Sequence, residues 1–246
     1  MISFIRSVLC AFCFFVFGLG CVLVSSAIFP IILLLYKSDK QRRIFVNTIH
    51  ITWRAFVWLM CVLRLIKVKC NSRSELKKLK GTIVIANHPS LIDVVILVSL
   101  IPNSVCVVKN SLFHNVFVRK VIQKIYLSNT MQPDEFITRA ADVLNNDYNI
   151  IIFPEGTRTI PNRPVHLHRG FAYLQIATKK DILPIKIVNS PAILGKLQKW
   201  WHVGNKPSIY NIIPQQCLRY DSDKSDNPRR EAIRITDNAK ESLFRA

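Results

Sequence analysis

Two short polar clusters, each closing an apolar run, hold the residues whose types and spacing could do chemistry. The first is Asn87-His88-Pro89-Ser90-Leu91-Ile92-Asp93, after Thr82-Ile83-Val84-Ile85-Ala86. The second is Phe153-Pro154-Glu155-Gly156-Thr157-Arg158, after Asn149-Ile150-Ile151-Ile152. An alcohol is a weak nucleophile, and a histidine oriented by a carboxylate is the usual means of activating one. His88 and Asp93 supply that pair. Gly156 lets backbone approach a ligand closely, and Arg158 offers a planar fork suited to a phosphate. Acyl transfer onto a hydroxyl is the chemistry such a set could perform.

Plainer readings stand beside these. On one continuous helix, a spacing of five residues would turn His88 and Asp93 about 140° apart. They can meet if His88 lies in the loop after a strand and the helix begins near Ser90, which Pro89 favours. Ser90-x-x-Asp93 ahead of an apolar run is also a capping box, which explains Asp93 without catalysis. A Glu and an Arg three residues apart more often form a salt bridge that shapes a loop. His166-Leu-His168 has no third ligand at a persuasive spacing, so it reads as a surface loop and no metal site is expected.

The elements that must position these residues read as an α/β domain: a mixed, partly parallel sheet flanked by helices. Apolar runs at 82–86, 104–108, 150–153 and 182–188 suggest strands buried on both faces. Segments 91–100, 112–125, 135–144 and 169–179 suggest helices between them, and 229–244 suggests a polar surface helix. In open α/β sheets ligands bind off the carboxyl ends of strands, and both clusters fall at such ends.

Residues 7–36 carry no charge and are bounded by Arg6 and by Lys37, Lys40, Arg42 and Arg43. About 20 apolar residues cross a bilayer. The run is longer than a signal-peptide core, although Ser25-Ser26-Ala27 could be a processing site. A retained membrane-embedded helical segment is expected, either straight or bent at Pro30 or Gly18/Gly20. Segment 51–68, with Trp53, Arg54, Trp58, Arg64 and Lys67, reads equally as an interfacial helix and a core-facing one. The expected division is 1–70 for anchor and interfacial helices and 71–246 for the α/β domain.

The net charge is +19, and residues 1–80 hold 13 Lys/Arg against 2 Asp/Glu. A basic excess beside an apolar stretch suggests an anionic membrane surface, and no nucleic-acid motif is present. Most of the seven scattered cysteines, Cys10-Ala-Phe-Cys13 among them, read as small buried side chains in a reducing compartment. Lys196, Lys199, Trp200 and Trp201 read equally as a lip on lipid headgroups and as an ordinary half-buried pair.

Asn87-His88-x4-Asp93, followed about 60 residues later by Phe153-Pro154-Glu155-Gly156-Thr157-Arg158, resembles the paired motifs of the glycerolipid acyltransferase superfamily (lysophospholipid, 1-acylglycerol-3-phosphate type). Leu183-Pro184-Ile185 and His168-Arg169-Gly170 resemble its later motifs, and the resemblance spans roughly residues 80–190. It implies that His88 is the general base and Asp93 orients it. The acyl donor would be an acyl carrier protein (acyl-ACP) or acyl-CoA thioester, with no covalent enzyme intermediate, no metal and no other cofactor. Glu155, Gly156, Thr157 and Arg158, with Lys109 and Arg169, would bind a lysophospholipid or other lipid acceptor. The setting would be phospholipid biosynthesis at a bacterial-type inner membrane, the catalytic domain facing the cytoplasm.

The chain departs from the family pattern after Lys109-Asn-Ser-Leu112. Asn115 and Val118 stand at its Pro and Gly places, and Ser128-Asn129 where an Arg is expected. That leaves a second reading, a non-catalytic lipid-binding accessory protein of a lipid- or polyene-modifying complex. Segment 191–201 is similar to acyltransferase-like proteins of bacterial aryl polyene clusters.

Overall fold

A computed structural model describes residues 2–36, 39–108, 127–128, 131–201, 203–219 and 227–245. The chain opens with α1 (Ile2–Leu23), a π-helical turn (Val24–Ile28) and α2 (Phe29–Leu35), which continue as one apolar run. The turn has a local cause. The Ser25 and Ser26 hydroxyls both donate to Val22 O, at 3.0 and 2.6 Å, and Pro30 has no N–H to bond back. Next comes α3 (Asp39–Val62), antiparallel to this run: Phe14 and Phe17 meet Phe56, and Phe29 meets Phe45. The run from Ile2 to Leu35 therefore does not fold back at Pro30 or the glycines. Both helical runs are long and apolar enough to cross a membrane.

The sheet begins with β1 (Ile66–Lys69) and continues, after α4 (Arg73–Leu76), with β2 (Ile83–Ala86), α5 (Asp93–Leu100), β3 (Ser104–Val108) and β4 (Leu127–Ser128). Then come α6 (Pro133–Asn145), β5 (Asn149–Ile152), α7 (Gly170–Thr178), β6 (Ile182–Ser190), β7 (Ser208–Pro214) and α8 (Pro228–Phe244). The described strands form one seven-stranded sheet in the order β1-β7-β6-β2-β5-β3-β4, in which only β6 and β7 pair antiparallel. Strand alternation splits the core in two. Val84 and Ala86 join the cluster under α5 with Met60 of α3, while Ile83 and Ile85 join that of α6, α7 and α8.

Because β6 runs opposite to β7, the first residues of β1 and β7 share an end of the sheet with the carboxyl ends of β2, β5 and β6. The start of α1 is fixed at that end. Arg6 donates to Gly204 O (2.7 Å), Arg64 O (2.8 Å) and Leu65 O (3.4 Å). At the closed end of the hairpin, Arg42 bonds Asp142 at 2.7 Å.

The expected strands and helices lie where the sequence suggested, except that 112–125 falls outside the described residues. Stretch 51–68 is corrected. Its helix ends at Val62, and Ile66–Lys69 is an edge strand, just inside the expected boundary at 70. The tail helix buries Ala232, Ile235, Ala239 and Leu243, so its polar look hid an apolar face. β7 was not expected, although its burial alternates along 208–212. Ile85 is wholly buried two residues before the first cluster. Replacing it with Ala should lower unfolding stability by about 2–5 kcal/mol, read as a shift in denaturant midpoint. An unchanged midpoint would contradict this packing.

Candidate active site

β2 and β5 are neighbours, with Ile85 opposite Ile152, so the two polar clusters leave the sheet side by side. His88 lies in the loop after β2, and α5 begins only at Asp93. The turn through Ser90 brings the chain back, and His88 Nδ1 sits 2.9 Å from Asp93 Oδ2. The Asp93 side chain is wholly buried, whereas that of His88 keeps 19 % of its surface exposed. Asp93 also accepts from the Ser90 N–H (2.6 Å) and the Ser90 hydroxyl (2.5 Å). The capping reading and the catalytic reading are thus one arrangement: a single carboxylate accepts from the Ser90 N–H, as in a capping box, and holds the imidazole.

An ionised carboxylate only accepts, so the bond to Asp93 places the imidazole proton on Nδ1 and leaves the Nε2 lone pair free to take another. Burial pushes the Asp93 carboxyl up from its ordinary range, and the hydrogen bonds from His88 and Ser90 offset only part of that rise. The His88 ring stacks on Phe153, their centroids 4.3 Å apart.

The second cluster fixes the His88 main chain. Glu155 Oε1 accepts from the His88 N–H (2.9 Å) and from the Thr159 hydroxyl (2.7 Å). The Thr159 N–H donates to His88 O at 2.7 Å. Asn87 anchors the same loop to β6, exchanging bonds of 2.8 and 2.7 Å with the Ile187 main chain. Glu155 and Arg158 do not pair with each other. Arg158 Nη1 instead donates to Leu194 O and Gly195 O, both at 3.0 Å, which leaves Nε and Nη2 with no partner among the described residues. Leu194 O also accepts from the Leu91 N–H, so loop 191–201 braces both clusters.

Gly156 has φ +64°, a backbone conformation that favours glycine, and a Cβ there would lie 3.2 Å from the His168 ring, a tight contact that the ring would have to yield to. Thr157 and Arg169 are exposed; Arg169 caps α7 next to His168, and among the described residues neither side chain bonds another site residue. Lys109 lies outside the described residues. No cluster of three or more His, Cys, Asp or Glu forms among the described residues, and His166 and His168 meet edge to face at 5.5 Å. Sequence reasoning missed Thr159, Asn87 as an anchor, and Leu194. For Thr159 the available signal was a hydroxyl one residue past the second motif. Nothing local marks a carbonyl such as that of Leu194 as a ligand.

A family model described as Acyltransferase matches residues 67–188. A 1-acyl-sn-glycerol-3-phosphate acyltransferase of Cocos nucifera is 29 % identical over 148 residues, covering 57 % of this chain and 46 % of the relative. The chain thus spans about half the length of that curated relative. The crystal structure of the 1-acyl-sn-glycerophosphate (LPA) acyltransferase PlsC from Thermotoga maritima shares the fold, with a TM-score of 0.69, 17 % identity and full coverage of both chains.

The geometry distinguishes a positioning role for Glu155 from a charge role. Glu155→Gln keeps an acceptor for the His88 N–H and should leave catalytic turnover within a few-fold of the parent. Glu155→Ala frees the loop and should cost on the order of 10²-fold, the penalty for a misplaced reacting group. Steady-state kinetics of both variants check this. Equal losses would show that the charge itself is needed.

Proposed function

Because the chain belongs to the glycerolipid acyltransferase superfamily, we propose that it is a membrane-bound acyltransferase acting on a lysophospholipid of the 1-acyl-sn-glycerol-3-phosphate type. The donor is an acyl-ACP or acyl-CoA thioester, and the acceptor is the free hydroxyl. The observation that carries the reading is the imidazole held by a buried carboxylate at a strand end, its second nitrogen without a partner among the described residues.

In this mechanism His88 Nε2 takes the acceptor proton as the hydroxyl oxygen attacks the thioester carbonyl. Collapse of the tetrahedral intermediate breaks the C–S bond, and the imidazolium returns the proton to the departing thiolate. Asp93 stays ionised and steadies the imidazolium. Transfer is direct. Among the described residues the hydroxyls beside His88 are those of Ser90 and Thr159, and they donate to Asp93 and Glu155, not to the His88 ring. Arg158 is the candidate for an acceptor phosphate through Nε and Nη2, with Gly156, Thr157, Lys109 and Arg169 around it.

The membrane reading rests on the exposed outer face of α1 and α2, where Phe4, Phe12, Phe15, Leu19, Leu34 and Leu35 meet solvent. Both ends of the hairpin are tied to the sheet domain, by Arg6 and by Arg42. That supports an in-plane hairpin with its outer face in the lipid. The basic cluster that includes Arg42 lies on the domain side, which favours a cytoplasm-facing site on an inner membrane. The intact dyad favours an enzyme over a non-catalytic accessory protein.

His88→Ala should lower acyl transfer from either thioester to 1-acyl-sn-glycerol-3-phosphate by at least ~10²-fold, the usual share of a general base. Flotation with vesicles should be unchanged. Product measured by lipid mass spectrometry at the parent rate would refute the mechanism.

A further inference from the structure

The connection between β6 and β7 carries a surface that neither the fold nor the dyad requires. Leu197 is 80 % exposed, and Trp200 and Trp201 keep 44 % and 41 % of their surface. Lys196 and Lys199 flank them, and the Lys199 ammonium lies 5.6 Å from the Trp201 ring centre. Exposed large apolar side chains in a row cost water contacts unless something covers them. Among the described residues the cover is partial: Trp200 packs edge to face on Phe14 of α1 and on Trp201.

What completes the cover is indicated by continuity. Trp201 shares a cleft of about 420 Å³ with Ser3, Phe4, Ser7, Val8 and Ala11 of α1. The exposed stripe Phe4, Val8, Phe12 and Phe15 therefore runs directly into the tryptophan pair. Tryptophan with lysine at the margin of an apolar face suits a bilayer interface, where rings sit at headgroup depth and ammonium groups meet anionic phosphates. The opposite charge of a leaflet rich in anionic lipid fits Lys196, Lys199 and the +19 chain.

We propose that residues 196–201 are a second contact with the lipid leaflet, a basic and aromatic lip that seats the mouth of the site on an anionic membrane surface. The lip is coupled to the site through the start of its own loop. Leu194 O and Gly195 O hold Arg158, Leu194 O holds the Leu91 N–H, and Gln198 Oε1 holds the Gly195 N–H at 2.9 Å. Seating the lip therefore steadies Arg158 where a lysolipid headgroup would arrive. The proposal rests on the membrane-bound reading above.

The test uses the full chain with Trp53 and Trp58 replaced by Phe, so that only Trp200 and Trp201 emit. It is bound to phosphatidylcholine vesicles holding about one third phosphatidylglycerol, an anionic headgroup that a basic lip should prefer. With lipids brominated near the headgroup, emission should fall by about half or more, because the rings lie at that depth. Leu197→Asp, at a position too exposed to disturb packing, should weaken the quenching. It should also lower activity on vesicle-borne acceptor several-fold while sparing activity on detergent-dispersed acceptor. Flotation of the same sample separates the two readings. Protein that floats but whose emission answers only to aqueous iodide overturns the lip and leaves the membrane reading standing. Protein that does not float overturns both. Absent bromolipid quenching, with a Leu197→Asp defect confined to the KM for an acyl carrier thioester, would overturn the lip in favour of carrier docking.

Discussion

A buried carboxylate must have its hydrogen bonds made, and in this chain the first residue of α5 is one. Taking Asp93 out of water is costly unless donors meet it. Three do: the Ser90 N–H, the Ser90 hydroxyl and His88 Nδ1. Serving them bends residues 88–93 into a tight return, delays the helix to Asp93, and sets the imidazole tautomer. Loop shape, helix start and acid–base readiness thus follow from one side chain. Removing Asp93 would leave buried donors unpaired, at about 1–3 kcal/mol each.

That return would drift without outside support, because a loop has few contacts of its own. Asn87 stitches it to β6, Glu155 and Thr159 clamp the His88 main chain from β5, and Leu194 takes the Leu91 N–H. Most of these bonds end on backbone groups. The second motif therefore acts first as scaffold for the first, with only part of the Arg158 fork left for a ligand. Loop 191–201 extends the same frame outward to Trp200, which rests on α1. The apolar helical hairpin and the His88–Asp93 pair are consequently joined through a handful of contacts at one end of the sheet.

Much of this was legible in the residues. Strands flanked by turn residues announced the parallel core, because β2 and β5 are buried on both faces and read as unbroken apolar runs. His88 and Asp93 were legible as a pair once Pro89 placed the histidine outside the helix. Glu155 was visible as a site residue, but its partner was not: a bond to a main-chain N–H 67 residues away has no local signature. β1 was hidden because its apolar residues continue those of α3, and periodicity cannot divide a helix from an abutting edge strand. The buried face of α8 was masked by the charges on its other side. The plainer alternative, a salt bridge between Glu155 and Arg158, does not form, because each side chain bonds a main-chain group of another loop instead.

The central claim is that the fold presents His88 with its proton on Nδ1 and a bare Nε2. Nitrogen NMR of histidine-labelled protein, assigned with a His88→Gln sample, observes this directly. In the neutral form of the ring the His88 signals should show a protonated Nδ1 and an unprotonated Nε2, and Asp93→Asn should scramble that preference. A dominant tautomer with the proton on Nε2, or one indifferent to Asp93→Asn, would contradict the account.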